Sequence, residues 1–197
     1  MVEQPSLLAN ILIIIGEGFW VVSISAQLLK LHRTRNTHGL APVSQTLHTA
    51  GNVGWAAYFA IHNLWFPFTT NVIMFFLSVA TLGYTLSDRK KFATGITAII
   101  IVAPVTTYAL IKYPASGGWI GMTYNFIAGT PFIYRIIKRK KTSGLSEHGI
   151  YFALIAMLCT FAYALIIHSW PLIIGCAQGL VYEAIVIRYY YRYRHQN

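Results

Sequence analysis

SAQLLKLHRTRNTHGLAP, residues 25–42, and TPFIYRIIKRKKTSGLSEH, residues 130–148, are one passage written twice. Each leaves an apolar run, crosses a basic loop and makes a Thr-x-Gly-Leu turn before the next apolar run begins. Thr37, Gly39 and Leu40 match Thr142, Gly144 and Leu145 at an offset of 105 residues. The offset also pairs Lys30 and Arg33 with Arg135 and Lys138. Farther on it pairs Ala57, Tyr58, Ile61 and Trp65 with Ala162, Tyr163, Ile166 and Trp170. A unit that recurs in this way predicts a three-part chain: a first repeat over 1–90, a linker over 91–113 and a second repeat over 114–197.

Composition says what the runs flanking these loops must be. Of 197 residues, 56% are hydrophobic and only 10% charged. A soluble domain carries about a quarter charged residues, so this chain lacks the charge to cover a globule, and a lipid bilayer is the expected surroundings. A helix needs about 20 mainly apolar residues to cross the hydrocarbon core. Seven segments qualify: 7–30, 44–62, 67–87, 92–111, 118–137, 146–168 and 171–191. They are too long for strands and lack alternation of period two. The fold class expected is an all-α membrane protein, seven transmembrane helices arranged three, one, three as two parallel triple-helix repeats. The single helix between the units lets two odd-numbered units share one orientation.

The basic residues set the direction. Seven crossings put 14 of the 15 lysines and arginines on one side, leaving only Lys112 on the other. By the positive-inside rule that side is cytoplasmic, with the N-terminus outside and the C-terminus inside. Trp65, Trp119 and Trp170 then fall at the outer boundary, where indoles prefer to sit. The expected membrane is the plasma membrane. In a soluble protein a net charge of +10 would point to nucleic acid, but charge held in short clusters between apolar runs is the membrane pattern, so no nucleic-acid partner is expected. Cys159 and Cys176 lie in apolar segments without metal-ligand or disulfide spacing. No metal, cofactor or phosphate loop is expected, and no Ser/His/Asp set, so the chain does not read as an enzyme. The first apolar run has its basic residues after it, not before it, which is not the polarity of a cleavable signal peptide.

The doubled loop and the layout resemble the PQ-loop superfamily, which includes the SWEET and SemiSWEET sugar transporters and the lysosomal amino-acid exporters. The Pro-Gln pair of that family stands here as Ala26-Gln27 in the first repeat and Pro131-Phe132 in the second. The resemblance makes Gln27 and Pro131 the hinge positions. Pro131 can act so physically as well, because a proline inside a helix removes one backbone hydrogen bond. SWEET-like proteins also carry an Asn in the third helix, 13 residues after the Tyr of the second. Tyr58 and Asn71 keep that spacing, and Cys176 stands 13 residues after Tyr163, with Gln178 close by. Three residues before each Tyr the family places a substrate-facing side chain, which makes Trp55 and Thr160 candidates. On this resemblance Asn71, Trp55, Thr160, Cys176 and Gln178 are expected to bind substrate.

Polar groups within spans are candidates in their own right. Asn52 and Asn125 either line a cavity or join helices. Glu17 is a carboxylate near mid-span, able to exchange a proton or pair with a cation. Glu183, farther along the last span, either reaches Arg188 or meets water. His62 and His168 sit at outer span ends, where water can satisfy them, and His48 lies nearer the inner end of the second span, open to either reading. Gly51, Gly54, Gly175 and Gly179 permit close helix packing. The expected function is transport of a small polar solute by alternating access. A sugar leads, a cationic or polar amino acid comes next, and a non-transporting receptor or assembly factor on the same fold is the reading from another class. A second copy of the chain, as a homo-oligomer, stays open as a further partner.

Overall fold

The computed structural model describes residues 6–35, 37, 40–87, 89–139 and 146–193. Seven α-helices run through them: α1 (Leu7–Thr34), α2 (Pro42–Ile61), α3 (Trp65–Leu86), α4 (Arg89–Lys112), α5 (Gly117–Arg139), α6 (Glu147–Ile166) and α7 (Trp170–Tyr193). A single 3-10 turn, Pro114–Ser116, joins α4 to α5. The shortest helix has 20 residues, about 30 Å at 1.5 Å per residue and enough to cross the hydrocarbon core. The chain is an all-α, multi-pass membrane protein. Gly39, Thr142, Gly144 and Leu145 of the signature turns lie outside the described residues.

Local chemistry sets the helix ends. The Ser6 hydroxyl accepts from the Ala9 N–H at 3.2 Å and starts α1; Ser146 does the same for α6 through the Gly149 N–H at 3.2 Å. Pro42 opens α2 at a position where its missing N–H costs nothing. The turn from α2 to α3 and the turn from α6 to α7 are one structure made twice. Asn63 and His168 both take left-handed backbone, at φ 56° and 52°. The Leu64 N–H then reaches the Phe59 carbonyl at 2.9 Å, and the Ser169 N–H reaches Ala164 at 3.1 Å.

In the first unit α3 packs on both α1 and α2; in the second, α7 packs on both α5 and α6. The units meet along two seams, α1 on α6 and α2 on α5, which closes six helices into a ring. α4 stands outside the ring against α2, with Ile100, Ile101, Val105 and Ile111 exposed for lipid.

The two seams obey the repeat. Ser23 Oγ donates to the Gly149 carbonyl at 2.8 Å, and Ser44 Oγ donates to the Ala128 carbonyl at 2.8 Å. These are the same two positions with the serine placed on opposite members. At the α2–α5 seam the helices touch backbone to backbone: a Cβ on Gly54 would stand 2.9 Å from both the Gly117 carbonyl and the Gly121 nitrogen. Gly51 and Gly54 therefore do permit close packing. Gly179 likewise makes room for α6, a Cβ there standing 2.2 Å from the Met157 methyl, whereas a Cβ on Gly175 would make only ordinary contact, 3.5 Å from Met122.

Five of the seven helices are long and apolar enough to count as spans by composition; α2 and α5 are not. The reason is positional. α2 is covered by α3, α4 and α5, and a helix flanked by protein can carry polar side chains such as Ser44, His48 and Asn52 that lipid would not tolerate.

Candidate functional site

The ring encloses a cavity of about 410 Å³, within the range of small-molecule sites. Positions related by the repeat line it from both units. Trp55 lies there with Thr160, Asn71 with Cys176, Asn52 with Met157, Ser78 with Glu183, and Glu17 with Met122. At the end of the ring carrying the basic clusters the lining includes Gln27, Leu40 and Ser146. Toward the tryptophan end it stops at Phe59 and Leu172, under a packed plug. Phe59, Tyr163 and Ile167 are at most 1% exposed. The Tyr58 hydroxyl lies 2.6 Å from Ser169 Oγ and ties the first unit to the second there. The cavity thus extends to the basic end and is closed at the other.

Trp55 is buried against Phe59, with ring centroids 6.1 Å apart, and edge-on to Tyr58. It fits because α5 presents Gly121 beneath it; a Cβ there would stand 2.9 Å from the indole ring. Asn71 is 3% exposed and its Nδ2 donates to the Pro67 carbonyl at 2.8 Å. One amide hydrogen is thereby committed to its own helix. Thr160 donates its hydroxyl to the Ala156 carbonyl at 2.8 Å, and Cys176 is a free, buried thiol. Asn52 Nδ2 donates to Ser78 Oγ at 2.9 Å. Asn125 Oδ1 lies 3.1 Å from His48 Nδ1, so that nitrogen carries the proton of this bond and His48 gains a partner. Gln178 lines the cavity as well.

Glu17 is 3% exposed and faces Thr70, whose Oγ1 donates to Oε2 at 2.8 Å. Gln27 is on the lining near the basic end, where its Oε1 accepts the Ser146 N–H at 3.2 Å. Pro131 lies inside α5 but is exposed and is not part of the lining. Sequence reasoning overlooked Met122, Met157 and Ser78; the 105-residue offset alone could have found them, as counterparts of Glu17, Asn52 and Glu183. Glu183 itself is in the cavity wall, and among the described residues no ion pair joins it to Arg188. No group of three or more metal-ligating side chains comes together among the described residues.

Two three-helix repeats closed around a shared cavity define a class of membrane protein. Residues 8–68 and 117–173 match the PQ loop repeat, and the chain belongs to that family. Over 73 residues, 37% of this chain and 82% of the relative, it is 30% identical to the sugar transporter SemiSWEET of Escherichia coli (strain UMEA 3162-1). The solved structure of a eukaryotic SWEET transporter superposes with a TM-score of 0.65 at 15% identity, covering 96% of this chain and 100% of that one. At that identity the likeness is one of fold.

Proposed function

We propose that the chain carries a small polar solute across the membrane by alternating access, with a sugar as the leading substrate. The observation that supports this is a cavity lined by matched positions of both repeats, reaching one end of the ring and sealed at the other by Tyr58, Phe59, Tyr163 and Ile167. A transporter needs this geometry: one site that two rigid units expose to either side in turn. With the basic end in the cytoplasm, the state described is inward-open, the N-terminus is outside and the C-terminus inside, in the plasma membrane. The moving bodies are the units at 1–90 and 114–197, joined by the linker at 91–113.

Trp55 offers a face on which a sugar ring can stack, and Asn71 keeps its carbonyl oxygen for a hydroxyl. Thr160, Cys176 and Gln178 close the opposite side, with Asn52 and Asn125 nearer the basic end. Glu17 gives transport a dependence on charge, and Gln27 and Pro131 are the hinge positions. The similarity to SemiSWEET supports the sugar. The test is counterflow of a panel of labelled hexoses, pentoses and neutral and cationic amino acids into proteoliposomes holding the full chain. Saturable exchange of a hexose is expected. Exchange of an amino acid alone would replace the substrate, and exchange of nothing in the panel would overturn the transporter reading.

A further inference from the structure

Glu183 has no part in that reading, yet the cavity leaves it unfinished. Its Oε2 is buried without a hydrogen-bond partner. The repeat explains why. In the first unit the matching residue is Ser78, which accepts from Asn52 Nδ2 at 2.9 Å. The residue matching Asn52 in the second unit is Met157, a thioether with no proton to donate. A Cβ on Gly179, one turn before Glu183, would stand 2.2 Å from the methyl of Met157, so that side chain lies along α7 at this level. The second unit has kept the acceptor and lost its donor.

Among the described residues of the wall, none supplies the missing charge. α7 packs on α5 and α6. The lining from α6 here is Ile150, Ala153 and Met157, and from α5 it is Gly129 and Asn125, the latter bonded to His48. The other carboxylate of the cavity, Glu17, faces Thr70. No lysine or arginine is among the described residues of the lining. A buried carboxylate without a partner is unfavourable, and a group bringing both positive charge and N–H donors relieves it. The rings of Trp20 and Tyr182 in the same lining favour a cation too.

Depth decides what carries that cation. Glu183 follows Cys176 by seven residues, about two helical turns or ~10 Å. Side chains on a helix lean toward its N-terminus, which turns the carboxylate back toward Cys176 and the level of Trp55 and Asn71. The ~10 Å of helix between the two levels leaves room for a sugar-sized body. We propose that Glu183 anchors an ammonium group carried by the solute, so that the cavity takes amine-bearing molecules, amino sugars foremost, and rejects anions. The ammonium site stands on the geometry of Glu183; only the sugar body rests on the reading above.

Thermal unfolding of the purified full chain tests both parts separately. The additives are cyclohexylammonium chloride, sodium chloride at equal ionic strength, glucose and glucosamine. Cyclohexylammonium and glucosamine are expected to raise the melting temperature of the wild type beyond the salt control. In Glu183→Gln, which keeps shape, apparent affinity for both should fall about tenfold or more, the scale of a lost charged hydrogen bond. Met157→Asn supplies the donor that Oε2 lacks, and is expected to raise the melting temperature without additive while weakening the amine effect. It serves equally should Glu183→Gln not fold. Amine shifts that are absent, or unchanged in both variants, overturn the site. An equal shift with sodium chloride overturns the ammonium assignment. A shift with cyclohexylammonium but with neither sugar leaves the site standing and removes the sugar.

Discussion

The first and second three-helix units share a backbone plan and differ where they meet the cavity. Their turns are superimposable in hydrogen bonding, with Asn63 and His168 both left-handed. Their seams carry the same serine-to-carbonyl bond at the same two positions. At the cavity the pairs diverge: Asn71 against Cys176, Trp55 against Thr160, Glu17 against Met122, Asn52 against Met157. What is repeated builds the ring, and what has diverged lines the cavity. At the matched third-helix position the first unit offers the Asn71 amide and the second the Cys176 thiol, with the Gln178 amide two residues on and Glu183, its Oε2 without a hydrogen-bond partner, farther along the same helix.

The largest expected effect tests that asymmetry directly. Asn71→Ala or Trp55→Ala should cut solute exchange by about tenfold or more, because each removes a buried contact to the solute. Cys176→Ala, at the matched position, should leave exchange within about threefold. Equal losses at 71 and 176 would mean that both units contact the solute alike. Next comes the seam. A Cβ on Gly54 meets backbone that cannot step aside, so Gly54→Ala should cost about 1–3 kcal/mol in detergent unfolding. The matched residue Cys159 already has a side chain, and Cys159→Ala should cost under about 1 kcal/mol.

Smaller effects follow at the tryptophan end. Tyr58→Phe removes the crossing bond to Ser169 and should shift about 0.5–1.5 kcal/mol toward opening there. The position matching Ser169 is Leu64, which accepts no such bond, so Tyr163→Phe should do less; thiol reactivity of Cys176 from that end reads both. The smallest concerns the turns. His168→Gly should stabilise by up to about 1 kcal/mol, since left-handed backbone is free to glycine, while Asn63→Gly should gain less because Asn tolerates that region. Thermal unfolding of the two variants separates them.

Most of the fold was legible because its causes are local or periodic. Run length gave seven helices, the clusters of Lys and Arg gave one basic end, and the offset gave two units. Run length counted α2 and α5 although their apolar composition falls short of the other five helices, and α2 can carry polar side chains because α3, α4 and α5 cover it. The cavity lining was legible at Trp55 and Asn71, which spacing along the chain singled out and which both line it. It was not legible where the partner comes from another unit or a vacated pairing. Nothing in the order of residues places Asn125 against His48 or Thr70 against Glu17. Glu183 could be expected to reach Arg188 because both lie on one helix, whereas its Oε2 is buried without a hydrogen-bond partner. Pro131 lies within α5, exposed and away from the lining, so its proposed role falls to the helix backbone and not to contact with the solute.

The central claim is that one cavity between the units serves both sides of the membrane in turn. Cys176, deep in that cavity, reports on it once Cys159, the other of the two cysteines, is replaced by serine. In oriented proteoliposomes, a small impermeant methanethiosulfonate should label Cys176 quickly from the basic end and slowly from the other. A saturating transported sugar should slow the first reaction and quicken the second. Labelling that is fast only from the tryptophan end, or at rates no solute in the panel alters, would contradict the account.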